Sequence, residues 1–202
     1  MAVAPRLWPD STVVLIGGGP SLTAEDVAAC RDRARVIAIN DAHRIAPWAD
    51  VLYSSDQRWW EFYRGVPEWS KAKYGIAPLR PQPDWGITVL RNTGDDGIDL
   101  DPSALRTGRN SGYAAMNLAI HFGARRIVLL GYDMQAPGGP ARSHWFGAHP
   151  SRLQADSPYQ TFLDKFTRVA PLLRELGIEV INASRETALT VFPRAPIAEA
   201  LA

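Results

Sequence analysis

The sequence predicts an α/β protein built on a mainly parallel sheet. Three observations point there. The strand candidates are continuous apolar runs, such as Val13-Val14-Leu15-Ile16 and Ile127-Val128-Leu129-Leu130. They lack the alternation of a half-exposed strand, as expected when both faces are covered. Helix-forming segments separate them, the pattern of crossover connections. Small polar residues follow strand after strand: Gly17–Ser21, Asn40-Asp41, Ser54–Asp56, Gly131–Asp133 and Asn182–Ser184. Ligands of such sheets bind at the carboxyl ends of the strands. The expectation is a single Rossmann-like domain over residues 1–202, with helices on both faces and a long lid loop after Gly131-Tyr132-Asp133.

Taken in order, Val13–Ile16 is a strand and Thr23–Arg33 a helix. Val36–Ile39 and Asp50–Ser54 are strands, and Gln57–Tyr63 is a short helix. Residues 64–86 hold four prolines and two tryptophans and read as an irregular excursion. Ile87–Leu90 is a strand and Gly94–Pro102 an acidic loop. Asn110–Phe122 is a helix, Arg126–Leu130 a strand, and Gly131–Pro158 a long polar loop. Over Gln160–Leu176, Phe162, Phe166, Val169, Leu173 and Leu176 keep the spacing of a one-sided apolar helix, which Gly177 stops. Ile178–Ile181 is the last strand, and a short helix follows Pro196.

Bulk composition narrows the classes. The 202 residues are 46% hydrophobic and 21% charged, which describes an ordinary globule. A net charge of +1 gives no strong nucleic-acid or membrane-surface signal. No apolar run approaches the roughly 18 residues of a membrane span, and the first residues lack a signal-peptide core. The single cysteine, Cys30, has no internal disulfide partner and is expected to pack on the first helix. A cytoplasmic protein is expected.

The turn Gly17-Gly18-Gly19-Pro20-Ser21 lies between an apolar strand and a helix start. It fits an anion site made of amide N–H groups, such as a nucleotide phosphate; it equally fits a plain tight turn. It is not a P-loop, for no Lys-Ser/Thr follows, and Leu22 breaks Gly-x-Gly-x-x-Gly. Asn110-Ser111-Gly112, beside Arg109, is either a plain helix cap or a second anion site. Asp133 suits a ribose hydroxyl, a metal or a loop turn, and Asp41 and Asp56 invite the same readings. Together the three aspartates suit Mg2+. The segment Arg142–Pro150 carries His144 and His149, which suit general-base work. His43 and His121 read as plain surface histidines. Trp59, Trp60 and Trp145 serve either as packing or as stacking platforms.

Several motifs together resemble one family. They are Gly17-Gly18-Gly19-Pro20-Ser21-Leu22, Ile39-Asn40, Asn110-Ser111-Gly112, Leu129–Met134 and Ser143-His144-Trp145-Phe146-Gly147-Ala148-His149. This order resembles the single-domain bacterial sialyltransferases, and also the related 6-hydroxymethylpterin pyrophosphokinase-like proteins and prophage proteins of this length. The resemblance implies a nucleotide or nucleotide-sugar donor, a small-molecule or glycan acceptor, and His149 as general base. His144 would stand beside it, and Arg142 would replace the tyrosines that the family sets against the leaving phosphate. It implies a nucleotide site from Gly17–Ser21, Asn40, Ser54, Asn110, Ser111, Gly112, Gly131 and Asp133. Gly18 and Ser54 stand where the family has asparagines, Ala148 is extra, and so are Asp41 and Asp56. The extra carboxylates suit the alternative of a Mg-dependent diphosphotransferase using ATP. A further alternative is a non-catalytic phage assembly or nucleotide-binding protein.

Overall fold

The computed structural model describes residues 2–136, 142–153 and 157–202. Its eight strands are β1 (Ser11–Ile16), β2 (Arg35–Ile39), β3 (Val51–Tyr53), β4 (Ala72–Ile76), β5 (Ile87–Asn92), β6 (Ala104–Leu105), β7 (Ala124–Leu130) and β8 (Glu179–Asn182). The helices are α1 (Ala24–Ala28), α2 (Gln57–Phe62), α3 (Ser111–Phe122), α4 (Tyr159–Glu175) and α5 (Ile197–Ala200).

The strands form one sheet in the order β6-β5-β4-β3-β2-β1-β7-β8, and every pairing between them is parallel. Successive side chains of β1 and β2 alternate between two cores. Val13, Leu15, Ile37 and Ile39 join Met116, Phe122, Phe166 and Leu173 of α3 and α4. Val14, Ile16, Val36 and Ala38 join Val27, Trp59, Trp60 and Ala200 of α1, α2 and α5. Apolar residues are needed at every position because both faces are dry. Burying one such ring, Phe166 for instance, stabilises the fold by roughly 1.5–3 kcal/mol. Among the described residues no helix is long and apolar enough to cross a membrane.

The structure corrects the expected elements in three places. α1 stops at Ala28 instead of running to Arg33. The chain turns at once through Asp32, at φ +60°, and Cys30 packs after the helix with its thiol donating to the Asp26 carbonyl at 3.3 Å. The stretch 64–86 is not an irregular excursion, since it contains β4. Lys73 of that strand is buried because its ammonium donates to the Gly65 and Val66 carbonyls at 2.7 and 3.2 Å. β6 extends the sheet directly after the acidic loop.

Candidate functional site

β1 and β7 lie side by side, but their chains leave in opposite directions, β1 toward β2 and β7 toward β8. Such a divergence opens a crevice outside the carboxyl ends, where doubly wound sheets bind ligands. The β1–β7 ladder continues into it: Gly17 N–H donates to the Leu130 carbonyl and Gly19 N–H to Gly131, each at 2.8 Å. A Cβ on Gly17 would sit 2.8 Å from the Gly131 oxygen. One on Gly19 would sit 2.0 Å from Asp133 Oδ1 and 2.7 Å from the Gly131 oxygen. The closeness of the neighbouring strand therefore demands these two glycines. At Gly18 the nearest atom is His144 Cδ2, at 3.9 Å.

The turn is less open to an anion than its sequence suggests. Ser21 N–H donates to Asp133 Oδ2 at 2.8 Å, Leu22 N–H to the Gly19 carbonyl at 3.2 Å, and Asp26 N–H to Thr23 Oγ1 at 3.3 Å. α1 has only five residues, with Glu25 and Asp26 in its first turn. Gly18 N–H is left without a partner among the described residues. At α3 the Asn110 side chain already accepts from Gly112 and Tyr113 N–H, at 2.7 and 3.2 Å. Ser111 Oγ accepts from Ser55 N–H at 3.2 Å, and Gly112 lies against the Tyr132 ring. Ser54 is fully buried and accepts from Asp56 N–H at 3.1 Å.

Unmet hydrogen-bonding capacity gathers at this crevice. Asp133 Oδ1, Asn40 Oδ1, His144 Nδ1 and Trp145 Nε1 are buried with no partner among the described residues. Each such atom costs about 1–3 kcal/mol unless something else meets it. Asn40 follows β2 with φ +52°, and extending the register Ile16↔Ala38 sets it beside Gly18. Asp133 is only 2% exposed. Burial pushes its pKa up, against the pull of the Ser21 N–H. Beneath it the Tyr132 peptide is fixed by Ser184 and Thr187, at 2.7 Å each.

The histidine segment roofs the crevice. Trp145 N–H donates to the Gly18 carbonyl at 3.2 Å, and His144 and Gly147 exchange backbone bonds at 3.1 and 2.9 Å. The imidazoles of His144 and His149 meet edge to face at 4.2 Å, with Phe146 against both. Arg44 stacks over Trp145 and Phe146. Desolvation, and then the neighbouring His149, push the His144 pKa down to about 4. Burial also lowers that of His149, while Asp41 and Asp56 oppose the shift. Arg142 and Arg109 are exposed. Residues 137–141 and 154–156 of the expected lid loop lie outside the described residues.

Asp41 lies below this roof, 2% exposed. Its carboxylate accepts from Trp59 Nε1 at 3.0 Å and from the Tyr63 hydroxyl. Arg44 and His149 Nδ1 each approach it to 3.7 Å. Trp59 and Trp60 are thus core residues, not stacking platforms. His43 and His121, expected at the surface, are buried. His43 packs edge-on against Trp59 and Tyr63, and His121 reaches the Ala104 carbonyl at 2.8 Å. The expected Mg2+ set is not assembled. Asp56 caps α2 through Arg58 N–H at 2.8 Å, Asp133 holds Ser21, and among the described residues no three His, Cys, Asp or Glu side chains could share a metal. No local pattern marks Tyr63 as a partner of Asp41, because the two stand 22 positions apart, and Arg44, three residues on, reads as an ordinary surface cation.

A second opening lies on the far side of Ser21. This groove of about 710 Å3 is lined by Asp26, Ser184, Arg185, Glu186, Arg194 and Pro196 among others. Its two guanidinium groups and the Asp26 carboxylate are already engaged. Arg185 grips Asp26 at 2.5 and 3.0 Å, and Arg194 donates to the Ser184 and Arg185 carbonyls at 3.1 and 2.9 Å.

No family model and no curated protein matches the chain. Among solved structures it is similar to the sialyltransferase CstII from Campylobacter jejuni, determined in complex with the substrate analogue CMP-3FNeuAc, at a TM-score of 0.52 and 13% identity. The likeness covers 93% of this chain and 86% of that one. It bears on the sialyltransferase part of the resemblance and not on the pyrophosphokinase-like or prophage part. At this identity what the two chains share is the Rossmann-like α/β fold.

Proposed function

We propose that residues 1–202 form one transferase unit that takes a glycosyl group from a nucleotide-sugar donor and passes it to a hydroxyl acceptor. The observation that carries this reading is the gathering of buried, unmatched polar atoms at the β1–β7 crevice. A nucleotide offers what they lack. Asp133 Oδ1 would accept from a ribose hydroxyl, Trp145 Nε1 would donate to a phosphate or base oxygen, and Asn40 Oδ1 would accept from an exocyclic amine. Gly18 N–H, with no Cβ beside it, would meet the phosphate. The similar fold of an enzyme solved with a CMP-sugar analogue supports the donor class.

In the reaction, His149 takes the proton of the acceptor hydroxyl as its oxygen bonds to the anomeric carbon. The carbon–oxygen bond to the nucleotide phosphate breaks, and that phosphate leaves with the electron pair. Burial keeps His149 neutral and able to accept. Arg142, exposed at the head of the segment, would balance the charge of the leaving phosphate. A Mg-dependent transfer from ATP finds no gathered carboxylates among the described residues to support it.

Thermal unfolding with CMP, UDP, GDP, ADP and ATP, with and without Mg2+, tests this. A nucleotide at 100 times its dissociation constant adds about 2.7 kcal/mol of stability. One nucleoside mono- or diphosphate is expected to raise the melting temperature without Mg2+. If none shifts it, the nucleotide reading falls.

A further inference from the structure

Asp41 has no counterpart in the motifs that suggested a function, yet it is the most heavily engaged carboxylate near the crevice. We infer that Asp41 is the positioning residue of His149: it fixes the imidazole with its proton on Nδ1 and leaves Nε2 bare to accept. This deepens the proposed role of His149 and rests on it.

A carboxylate has about four acceptor positions. Oδ2 of Asp41 faces Trp59 Nε1 at 3.0 Å and His149 Nδ1 at 3.7 Å. Oδ1 takes the Tyr63 hydroxyl and faces Arg44 at 3.7 Å. Two aromatic donors from α2 and the residue that follows it thus hold the carboxylate in place, and its Oδ2 stands 3.7 Å from one ring nitrogen of His149. The backbone helps, for Asn40 at φ +52° starts the short 3-10 turn that carries Asp41. An acceptor opposite Nδ1 selects the tautomer protonated there, and the bare nitrogen then lies across the ring, away from Asp41. The 3.7 Å gap exceeds a formed hydrogen bond, as is common before a ligand tightens such a pair. Among the described residues, the other ionisable groups near His149 include Asp56 at the α2 cap, His144 within the segment and Arg44 beside Asp41. Only Asp41 shows His149 a carboxylate oxygen at ion-pair distance among the described residues.

Long-range 15N–1H NMR of the intact protein at neutral pH reads the tautomer directly, with His149→Gln used to assign the signal. Wild type is expected to show the Nδ1–H form. In Asp41→Asn, whose amide donates, it should turn to Nε2–H. Transfer by Asp41→Asn is expected to fall roughly 100-fold or more, by the logic of an orienting carboxylate replaced by its amide, with donor KM within about twofold. Tyr63→Phe removes one anchor of the carboxylate and should keep the Nδ1–H form. A purely structural Asp41 would move stability but not the tautomer. An Nε2–H tautomer in wild type overturns the inference even where Asp41→Asn does not fold, as does an unchanged tautomer in a folded Asp41→Asn. The measurement needs no substrate, so an Nδ1–H tautomer in a protein that transfers no sugar keeps the pairing and discards the transferase.

Discussion

The two openings on either side of Ser21 differ in what their polar atoms still lack. In the Arg185 groove the guanidinium groups and the Asp26 carboxylate are matched to one another and to backbone carbonyls. In the β1–β7 crevice Asp133, Asn40, His144 and Trp145 each keep a buried atom unmatched among the described residues. The groove has room, about 710 Å3, but these groups pair within the protein without a guest. Those of the crevice still have hydrogen-bonding capacity to offer one. Unmet hydrogen bonding, more than volume, marks where a ligand changes the free energy of this molecule.

The contrast can be broken most sharply with His149→Ala. Turnover is expected to fall about 10²–10⁴-fold with donor affinity nearly unchanged, whereas Arg185→Ala across Ser21 should leave it intact. If His144→Ala shows that loss and His149→Ala does not, the roles within the segment are exchanged.

Next come the glycines. Gly19→Ala forces a methyl onto Asp133 and the Gly131 carbonyl and should lower stability by about 1–3 kcal/mol in denaturant unfolding. Gly18→Val faces only His144 across an ordinary contact. It is expected to stay folded and lose nucleotide binding, and unchanged affinity in titration calorimetry would remove Gly18 from the site.

Acidification sharpens the comparison further. His144 titrates near 6.5 when unfolded and at about 4 when folded, so between these values the unfolded chain holds more protons. Stability therefore rises with pH through that window and is lost as pH falls from about 6.5 toward 4. Melting temperatures at pH 7 and 4.5 should differ less in His144→Gln than in wild type. The smallest effect belongs to the groove: Arg185→Ala loosens an exposed pair and should change stability by roughly 0–1 kcal/mol.

The sheet was legible where strands are unbroken apolar runs, as in β1, β2 and β7, because burial on both faces writes itself into every position. β4 was hidden, since Lys73 and Gly75 look like loop residues until the Gly65 and Val66 carbonyls are seen to receive the ammonium. The helix after the glycine turn was overread, because local propensity does not reveal that Asp32 turns the backbone to positive φ. In the candidate site, the strand-end residues were visible as small polar clusters, and so was the histidine segment. The reason for the glycines was not, because it lies in a neighbouring strand more than a hundred positions away. Nor was the partner of His149. Asp41 reads as a metal ligand in isolation, and its contacts with Trp59 and Tyr63 exist only once α2 folds back.

The placement of β7 also governs how the molecule comes together. β1 pairs with β2 almost at once, but its other edge waits for residues 124–130. Until they arrive, Val13, Val14, Leu15 and Ile16 present an open, uncharged strand edge, the kind that recruits other chains. The last strand to close that edge also carries Gly131 and Asp133 to the glycine turn. A chain that has formed the crevice is thus one whose most vulnerable edge has already been sealed.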